Sequence, residues 1–532
     1  MFCDRMKKEE LLVEYKRAHI FILPSLFEGM SNSLLEAMAC GCPVVTSKIS
    51  SLPEIAGNAA LLVDPYSVDD IARGITKILT NPILKSTMVK RGFKQVDKFS
   101  WGKTISETVK IYQSIFNPAK ILQGVTLGKH LGETKGILMK YILKLFILWN
   151  LALLLVYFIV SSFIPQRKQF SYNDGPGMKP NPVFLWHRAN FDGIHYIDIA
   201  KKGYSINQQA FFPLYPKLIK AVSPLFGGRL LISGITISLL STIIALWFFY
   251  RLVQIDYSEK IAKRTLLLWL IFPTSFFLGS VYTEGLFVAL LLGSFYSARI
   301  GKWWAAGLLG MLAANTRIVG VLIFPAIIYE FYCQRMIYCQ IGQFGAGFRT
   351  NLGIFVRKLY CLLQPVKGYV PLFLIPLGLV FYMRYLQVNY QDPLMFLHVQ
   401  PNFGGGRSDG QMILLYQVFW RYFKMILTTR LDPLYIVVWL ELLTGISAIA
   451  LIILSFRQRI RTSYLIFSIT AFLLPTLTGT FLSLPRFVLC LFPLFISLAL
   501  IENKLIRWVI NVVFCLLFIV YYAMFSRGFW IA

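Results

Sequence analysis

The sequence has few charged residues for its length, and acidic residues are scarcer than basic ones. Of its 532 residues, 15% are charged and 56% are hydrophobic, with 25 Asp and Glu against 53 Lys and Arg. A soluble globular chain has about 25% charged residues. The mean hydropathy of +0.62 is also higher than the filling of a soluble core explains. The composition therefore predicts an integral membrane protein.

The eight cysteines form no framework of their own. Cys40 and Cys42 are separated by one residue, Cys333 and Cys339 by five, and none has a histidine partner at zinc spacing. This pattern predicts neither a disulfide scaffold nor a metal site. The first long apolar run begins near residue 136, so we expect no signal peptide and expect the first membrane helix to direct insertion.

The excess of basic residues is spread along the chain rather than gathered on one segment. The formal net charge is +28, and the Lys and Arg residues stand in short clusters between apolar runs. Such clusters are typical of the positive-inside rule and of contact with anionic headgroups. We therefore expect membrane lipids as partners and no nucleic acid.

Residues 1–117 alternate short apolar strands with helices. "AHIFILPS" (18–25) and "CPVVTSK" (42–48) predict strands, and "NSLLEAMACG" (32–41) predicts a helix that ends at Gly41. A second helix, "SVDDIARGITKILTN", begins at Ser67 as N-cap. Alternation of this kind predicts a parallel sheet and hence a small α/β, partly Rossmann-like domain. The polar residues 118–135 predict a linker.

The region 136–532 is dominated by apolar runs long enough to span a bilayer. About 20 apolar residues cross ~30 Å of hydrocarbon as a helix. We predict a mostly α polytopic bundle of about eleven transmembrane helices, with a break near Asn315 and Arg317. The predicted spans are 137–165, 229–250, 265–281, 284–300, 303–316, 318–332, 369–387, 433–456, 462–481, 486–501 and 505–525.

The distribution of Lys and Arg between these spans predicts their orientation. Basic residues concentrate in 251–264, 333–368 and 457–461, which the positive-inside rule assigns to the cytoplasm. The same alternation puts the N-terminal domain in the cytoplasm and the two long loops, 166–228 and 388–432, outside. The first of these loops is itself basic, although loops beyond ~60 residues follow the rule poorly.

The first outer loop carries the densest group of polar and aromatic residues, "WHRANFDGIHYIDIAKKGYSINQQAFFPLYP" (186–216). Asp192 and His195 are three residues apart, so on a helix they share a face. A carboxylate at this place suits the base that glycosyl transfer to a hydroxyl requires. Arg188, with Lys201 and Lys202, suits a lipid-linked phosphate. The alternative is an interfacial helix with solvated charges.

This loop closely resembles the PIG-V-like mannosyltransferases, including their bacterial relatives, in "NFDGIHYIDIAKKGY" and "AFFPLYPKLI". Three later segments resemble the same family in the same order: "SVYTEGLFVALLLGSFY" (280–296), "LAANTRIVGVLIFPA" (312–326) and "SLPRFVLCLFPLF" (483–495). The resemblance covers residues 137–525. It implies the GT-C architecture, with a catalytic acidic residue in the first outer loop.

The resemblance also implies the reaction and several site residues. Asp192 matches the catalytic base, and His195, Tyr196, Gly203 and Tyr204 match the shape of the motif. The implied activity is transfer of a hexose, expected to be mannose, from a polyprenyl-phosphate carrier to a glycolipid or glycan at the outer face, as in GPI mannosyltransferases. No cofactor is implied, and participation of a divalent metal ion is left open.

Three more ionisable residues stand at membrane depth or at its edge. Glu284, Arg317 and Arg486 are costly there and are therefore functional candidates. Each arginine suits bidentate contact with a phosphate. The alternative is snorkelling or a mutual Glu–Arg pair. The predicted substrate-binding residues are thus Arg188, His195, Tyr196, Tyr204, Glu284, Arg317 and Arg486.

The N-terminal segment resembles a different family. "FILPSLFEGMSNSLLEAMACGCPVVTSKISSLPEIAGNAALLVDP" (21–65) looks like the C-terminal half of a family-4 GT-B glycosyltransferase. Glu28 and Glu36 match its paired glutamates, which contact the donor sugar and the ribose. Gly29 to Ser33, before a helix, fit a diphosphate cradle.

This second resemblance covers only the last third of the GT-B fold. A GT-B site lies between two domains, so we expect this segment not to catalyse by itself. It is a remnant, a fusion product or a part that another chain completes.

Two other functions fit parts of the sequence. A flippase or transporter of lipid-linked sugars is one, but such proteins usually show repeat symmetry, which is not found here. A nucleotide-sugar transferase acting through a completed GT-B domain is the other, although eleven spans are more than an anchor needs.

Overall fold

The computed structural model describes residues 8–100, 102–108, 131–167, 183–341, 369–403, 413–428 and 433–531. The chain divides into two compact units, Met1–Gly128 and Lys129–Ala532. Most of the predicted linker 118–135 lies outside the described residues, so its boundaries stay a prediction.

The first unit contains a three-stranded parallel sheet. Strands β1 (Phe21–Leu23), β2 (Val44–Ser47) and β3 (Ala60–Val63) lie in the order β1-β2-β3. Its helices are α1 (Lys8–Arg17), α2 (Asn32–Ala39), α3 (Leu52–Ala56), α4 (Val68–Leu79) and α5 (Pro82–Val96), and residues 102–108 are helical as well.

Local signals explain why these helices begin and end where they do. The Ser67 side chain accepts a hydrogen bond from the Asp70 amide at 3.2 Å, so it caps α4 as predicted. Gly41, just beyond α2, has φ +74°, which favours glycine where a helix ends. The prediction of a small parallel α/β domain is confirmed, and β3 adds a strand that the sequence pattern did not single out.

All regular secondary structure in the described part of the second unit is helical. Its helices are α6 (Leu131–Phe163), α7 (Val183–Trp186), α8 (Asp192–Lys202), α9 (Leu214–Val222), α10 (Leu230–Asp256), α11 (Glu259–Leu270), α12 (Glu284–Arg299), α13 (Trp303–Ala314), α14 (Ile323–Ile341), α15 (Leu374–Tyr390), α16 (Met395–His398), α17 (Leu415–Thr428), α18 (Pro433–Arg457), α19 (Thr462–Thr476), α20 (Leu484–Phe487), α21 (Phe492–Ala499) and α22 (Lys504–Ser526).

Six of these helices in the described residues are long and apolar enough to cross a membrane. The segments are Leu138–Phe163, Leu230–Asp256, Ile318–Arg335, Val370–Tyr390, Val437–Arg457 and Lys504–Ser526. Each falls on a predicted span, and the polytopic helical class is confirmed. The other five predicted spans are also helical, but they are shorter or broken.

Two predicted spans are interrupted at prolines. The run 265–281 becomes α11 and, after Pro273, a 3₁₀ turn at Ser275–Gly279. The run 486–501 becomes α20, a turn and then α21, which has Pro493 at its start. Proline has no N–H and clashes with the preceding turn, so it ends or begins a helix rather than continuing one.

Small residues bring α13 and α15 into close contact. A Cβ atom at Gly307 would overlap the Pro371 carbonyl oxygen, and one at Gly378 would overlap that of Met311. Helices in membranes pack closely where such residues meet. The contact fixes the end of α13, which leads directly into the predicted break and Arg317.

An ion network centred on the buried Glu330 joins four helices. The Glu330 side chain on α14 is 1% exposed and lies 2.7 Å from Arg461 and 3.5 Å from Arg299. Arg299 also contacts Asp256 at 2.5 Å, and the Ser463 hydroxyl donates to Glu330 at 2.8 Å. Because a buried charge is costly unless it is paired, each member depends on the others.

We expect Glu330→Ala to destabilise the protein by about 3 to 5 kcal/mol, because it leaves Arg299 and Arg461 facing each other without their shared carboxylate. The measurement is thermal unfolding of the detergent-solubilised protein. Glu259→Ala is the control, since it removes an exposed helical pair with Lys263 worth about 0.3 to 0.5 kcal/mol. Equal shifts for the two variants would contradict the prediction.

Candidate functional site

The predicted motif of the first long loop forms a short helix. As expected, Asp192 and His195 lie on one helix, α8, of which Asp192 is the first residue. A Cβ atom on Gly193 would lie 3.3 Å from the Val281 carbonyl oxygen, so α8 approaches the chain just before α12 closely. The N-terminus of α8 thereby lies beside the N-terminus of α12, where Glu284 is the first residue.

Four ionisable side chains from four separate segments meet at this point. The Arg486 guanidinium donates from Nη1 to Asp192 Oδ2 at 2.6 Å, and its Nε lies 3.1 Å from Glu284 Oε1. Arg317 Nη1 donates to the same Glu284 oxygen at 2.5 Å. We call Asp192, Glu284, Arg317 and Arg486 the four-residue cluster. Arg486 bridges its two carboxylates.

Aromatic rings support both guanidinium groups of the cluster. The Phe487 ring centroid lies 4.7 Å from Arg317 and 5.8 Å from Arg486, and the Tyr282 ring lies 5.3 Å from Arg486. Such cation–π contacts gain strength where water is excluded. The Tyr282 hydroxyl donates to the Asn190 carbonyl oxygen at 2.7 Å, which ties this ring to the turn before α8.

Burial distinguishes the two carboxylates. The Glu284 side chain is 1% exposed, whereas that of Asp192 is 20% exposed. The two arginines are 11% and 10% exposed, and the four charges formally cancel. Each acidic residue also begins a helix, where the helix dipole favours negative charge. Of the two carboxylates, Asp192 is therefore the one that a substrate can approach.

Tyr196 adjoins the cluster from the next turn of α8. Burial raises its pKa, and the negative charges of Asp192 and Glu284 act in the same direction. Its ring packs edge-on against Phe211 and Tyr215. The phenol therefore stays neutral and is suited to hydrogen bonding.

The other residues predicted from the loop motif make different contacts. The His195 ring stacks on Phe211 at 4.8 Å, and burial lowers its pKa against the opposing effect of Asp192 and Asp198. The Tyr204 hydroxyl donates to the Phe211 carbonyl oxygen at 2.7 Å. Both side chains thus brace the turn before α9.

Arg188 lies apart from these contacts. Its Nη1 donates to the Gly279 carbonyl oxygen at 3.1 Å, and its side chain is buried. It forms no hydrogen bond with the four-residue cluster among the described residues, so its binding of a substrate phosphate stays a prediction.

The pairing within the cluster realises one of the alternatives open at the sequence level. Glu284 and Arg317 do form a mutual pair, which Arg486 extends to Asp192. The expected contact of the two arginines with a phosphate stays a prediction. Such a contact requires each arginine to divide its N–H groups between the carboxylates and the phosphate.

Sequence reasoning missed one acidic residue next to the site. Glu441, which is 3% exposed on α18, accepts hydrogen bonds from the Tyr422 hydroxyl and from the Ser483 amide. Its signal was an isolated acidic residue within the apolar run 433–456, the same signal that singled out Glu284.

The paired glutamates of the first unit lie on a hydrogen-bonded loop and the following helix. The Ser50 and Ser51 hydroxyls donate to the Glu28 carbonyl oxygen at 2.8 and 2.7 Å. A Cβ on Gly29 would meet nothing within 4 Å, and Glu36 is exposed on α2. The Ser33 hydroxyl lies 3.1 Å from that of Ser31, the N-cap of α2. The loop thus leaves Gly29 and Glu36 accessible.

No group of three or more His, Cys, Asp or Glu side chains within the described ranges is arranged to hold a metal ion.

Both parts of the chain match known glycosyltransferase families. Residues 1–95 match the family "Glycosyl transferases group 1". Residues 136–384 match the family "Mannosyltransferase (PIG-V)". The two matches follow each other along the chain in the order predicted from the sequence, and both families are glycosyltransferase families.

Individual relatives share a smaller part of the chain. The O-antigen chain mannosyltransferase B of Escherichia coli is 39% identical over 105 residues, which are 20% of this chain and 28% of that protein. The MMP alpha-(1->4)-mannosyltransferase of Mycolicibacterium hassiacum is 34% identical over 112 residues, which are 20% of this chain and 27% of that protein. The chain thus spans less than a third of these relatives. No solved structure is significantly similar to it.

Proposed function

We propose that the protein transfers a hexose, expected to be mannose, from a polyprenyl-phosphate carrier to a hydroxyl of a glycolipid or glycan acceptor at the outer membrane face. The observation that carries the proposal is the four-residue cluster. The cluster presents one accessible carboxylate, Asp192, beside two arginines. Asp192 and Arg317 lie within the PIG-V match, and Arg486 lies in the chain that follows it.

In the proposed reaction Asp192 is the base. Its carboxylate takes the proton of the acceptor hydroxyl while the hydroxyl oxygen attacks the anomeric carbon of the donor sugar. The bond between that carbon and the phosphate oxygen breaks, and the electron pair leaves with the polyprenyl phosphate. Arg486, at 2.6 Å from Asp192, holds the carboxylate in place for this step.

The two arginines have the hydrogen-bonding capacity to stabilise the leaving phosphate. Each guanidinium offers five N–H groups. Within the described residues, the Arg317 side chain donates hydrogen bonds through Nη1 alone, to Glu284 and Thr283. Its remaining N–H groups suit the oxygens on which negative charge grows, and such charge-assisted bonds are strong where water is excluded.

We expect Asp192→Asn to lower turnover by a factor of ~10² to 10⁴, because an amide of the same size cannot accept the proton. The measurement is transfer of labelled mannose from a polyprenyl-phosphate donor by purified, folded protein. Asp198→Asn on the same helix is the matched control and should retain most of the activity. Near-normal turnover in Asp192→Asn would rule out this base.

The donor itself is tested by offering polyprenyl-phosphate-mannose and GDP-mannose separately. We expect label in the acceptor only from the lipid donor, both in the wild-type protein and in the Glu28→Ala, Glu36→Ala double variant. Label from GDP-mannose that disappears in the double variant would instead favour the nucleotide-sugar alternative. In the Arg317→Ala variant we expect lipid-donor transfer to be lost. If the protein were instead a flippase, the wild-type protein would label no acceptor with either donor.

Sidedness is tested by single cysteines in a background without native cysteines. We expect Ile206→Cys, 88% exposed after α8, to react with an impermeant thiol reagent on intact cells. Ile83→Cys, 80% exposed in the first unit, and Lys260→Cys, exposed at the start of α11, are expected to react only after permeabilisation. The reverse pattern would place Asp192 in the cytoplasm and contradict an outer-face reaction.

A further inference from the structure

The turn that carries Arg486 is short and held from outside. Helix α20 has only four residues and begins after Ser483, which has φ +64°. A single helical turn does not hold itself together in isolation, and a non-glycine residue at positive φ is strained. The position of the Arg486 side chain must therefore be fixed by neighbouring elements.

Two buried side chains hold the N-terminal side of this turn. The Tyr422 hydroxyl on α17 donates to Glu441 Oε2 at 2.5 Å and accepts from the Phe481 amide at 3.1 Å. Glu441 Oε1 on α18 accepts from the Ser483 amide at 3.3 Å. The pair thus accepts hydrogen bonds from the backbone N–H groups on both sides of Leu482. These groups lie three and five residues before Arg486.

The opposite side of the same segment is fixed by a different part of the bundle. The Thr274 hydroxyl donates to the Pro485 carbonyl oxygen at 2.7 Å, and Trp269 Nε1 donates to that of Leu489 at 3.1 Å. Thr274 and Trp269 come from α11 and the chain after it. The Arg486 backbone is therefore held between this region and the Tyr422–Glu441 pair.

We propose that Glu441 and Tyr422 are positioning residues for Arg486, which they align with Asp192 without contacting the reacting atoms. This inference rests on the proposed function of the four-residue cluster. Neither residue lies within the range matched by the PIG-V family, residues 136–384. Misplacement of a catalytic group by about 1 Å costs up to about 100-fold in rate, so the hydrogen bonds of a buried pair matter to turnover.

Kinetics test the consequence for catalysis. Tyr422→Phe keeps the ring but removes the hydroxyl, and we expect kcat to fall about 10- to 100-fold with little change in donor KM. Glu441→Ala should behave alike, and Glu441→Gln, which retains an acceptor oxygen, should recover most of the rate. In an Arg486→Lys background, Tyr422→Phe should lower kcat by less than about twofold further, because both changes disturb the same positioned side chain.

Tyr464→Phe is the matched control. It also removes a buried tyrosine hydroxyl bonded to a charged group, since Arg299 Nη1 donates to Tyr464 at 2.8 Å, but it lies in the Glu330 network. We expect it to leave kcat unchanged. An equal loss in Tyr464→Phe, full kcat in both Tyr422→Phe and Glu441→Ala, or additive losses with Arg486→Lys would overturn the proposal.

Hydrogen exchange measured by mass spectrometry tests the contact without any reaction. In Tyr422→Phe, peptides covering 479–487 should exchange about five- to tenfold faster, because the Phe481 amide loses its acceptor. Peptides from α12 should be unaffected. Unchanged exchange at 479–487 would refute the positioning contact. This conclusion does not depend on which sugar donor the protein uses. Absence of transfer from any lipid-linked donor, with this exchange effect present, would instead refute the proposed function alone.

Discussion

The bridge that Arg486 makes between Asp192 and Glu284 is the interaction on which the architecture of the site depends. A carboxylate as buried as Glu284 is tolerated only when it is paired, and Arg317 and Arg486 both approach the same oxygen. Asp192 then shares Arg486 at 2.6 Å. No member of the four-residue cluster is stable alone at this buried place, so the four segments that carry these residues must converge. Their convergence fixes how α8, α12 and α20 meet.

The interrupted helices follow from the same constraint. In a continuous membrane helix, the backbone groups are hydrogen-bonded within the helix, and few polar side chains lie at the same membrane depth. A polar site therefore requires interrupted helices, and the backbone groups that an interruption frees must find other hydrogen-bond partners. At the break after α13, the Asn315 carbonyl oxygen accepts a hydrogen bond from the Leu214 amide at 3.3 Å. At Pro485 the Thr274 hydroxyl serves this purpose. These breaks deliver Arg317 and Arg486 to the cluster.

The sequence allowed the members of the cluster to be predicted and left a mutual Glu–Arg pair open, but it did not determine which side chains pair. Ionisable residues in apolar surroundings are few, and this scarcity made Glu284, Arg317 and Arg486 candidates, although the same signal at Glu441 was missed. Their partners depend on contacts such as that of Arg486 with Asp192, 294 residues apart, which no local pattern encodes. For the same reason the motif assigned Asp192 and His195 different roles but did not predict that the His195 ring stacks on Phe211. The parallel sheet was predictable because caps and strand alternation act locally.

The neutrality of the cluster has a consequence for the proposed reaction. A sugar phosphodiester carries about one negative charge, and the released phosphomonoester carries about 1.5 to 2. The charge that the phosphate gains is the charge that Asp192 loses when it takes the acceptor proton. The sum over cluster and ligand therefore changes little, and negative charge moves from Asp192 towards the leaving group. Arg486 already contacts Asp192, so a phosphate bound to its other N–H groups would place one guanidinium beside both ends of this movement. Little reorganisation of a buried site would then be required, which is the condition for electrostatic stabilisation of a transition state.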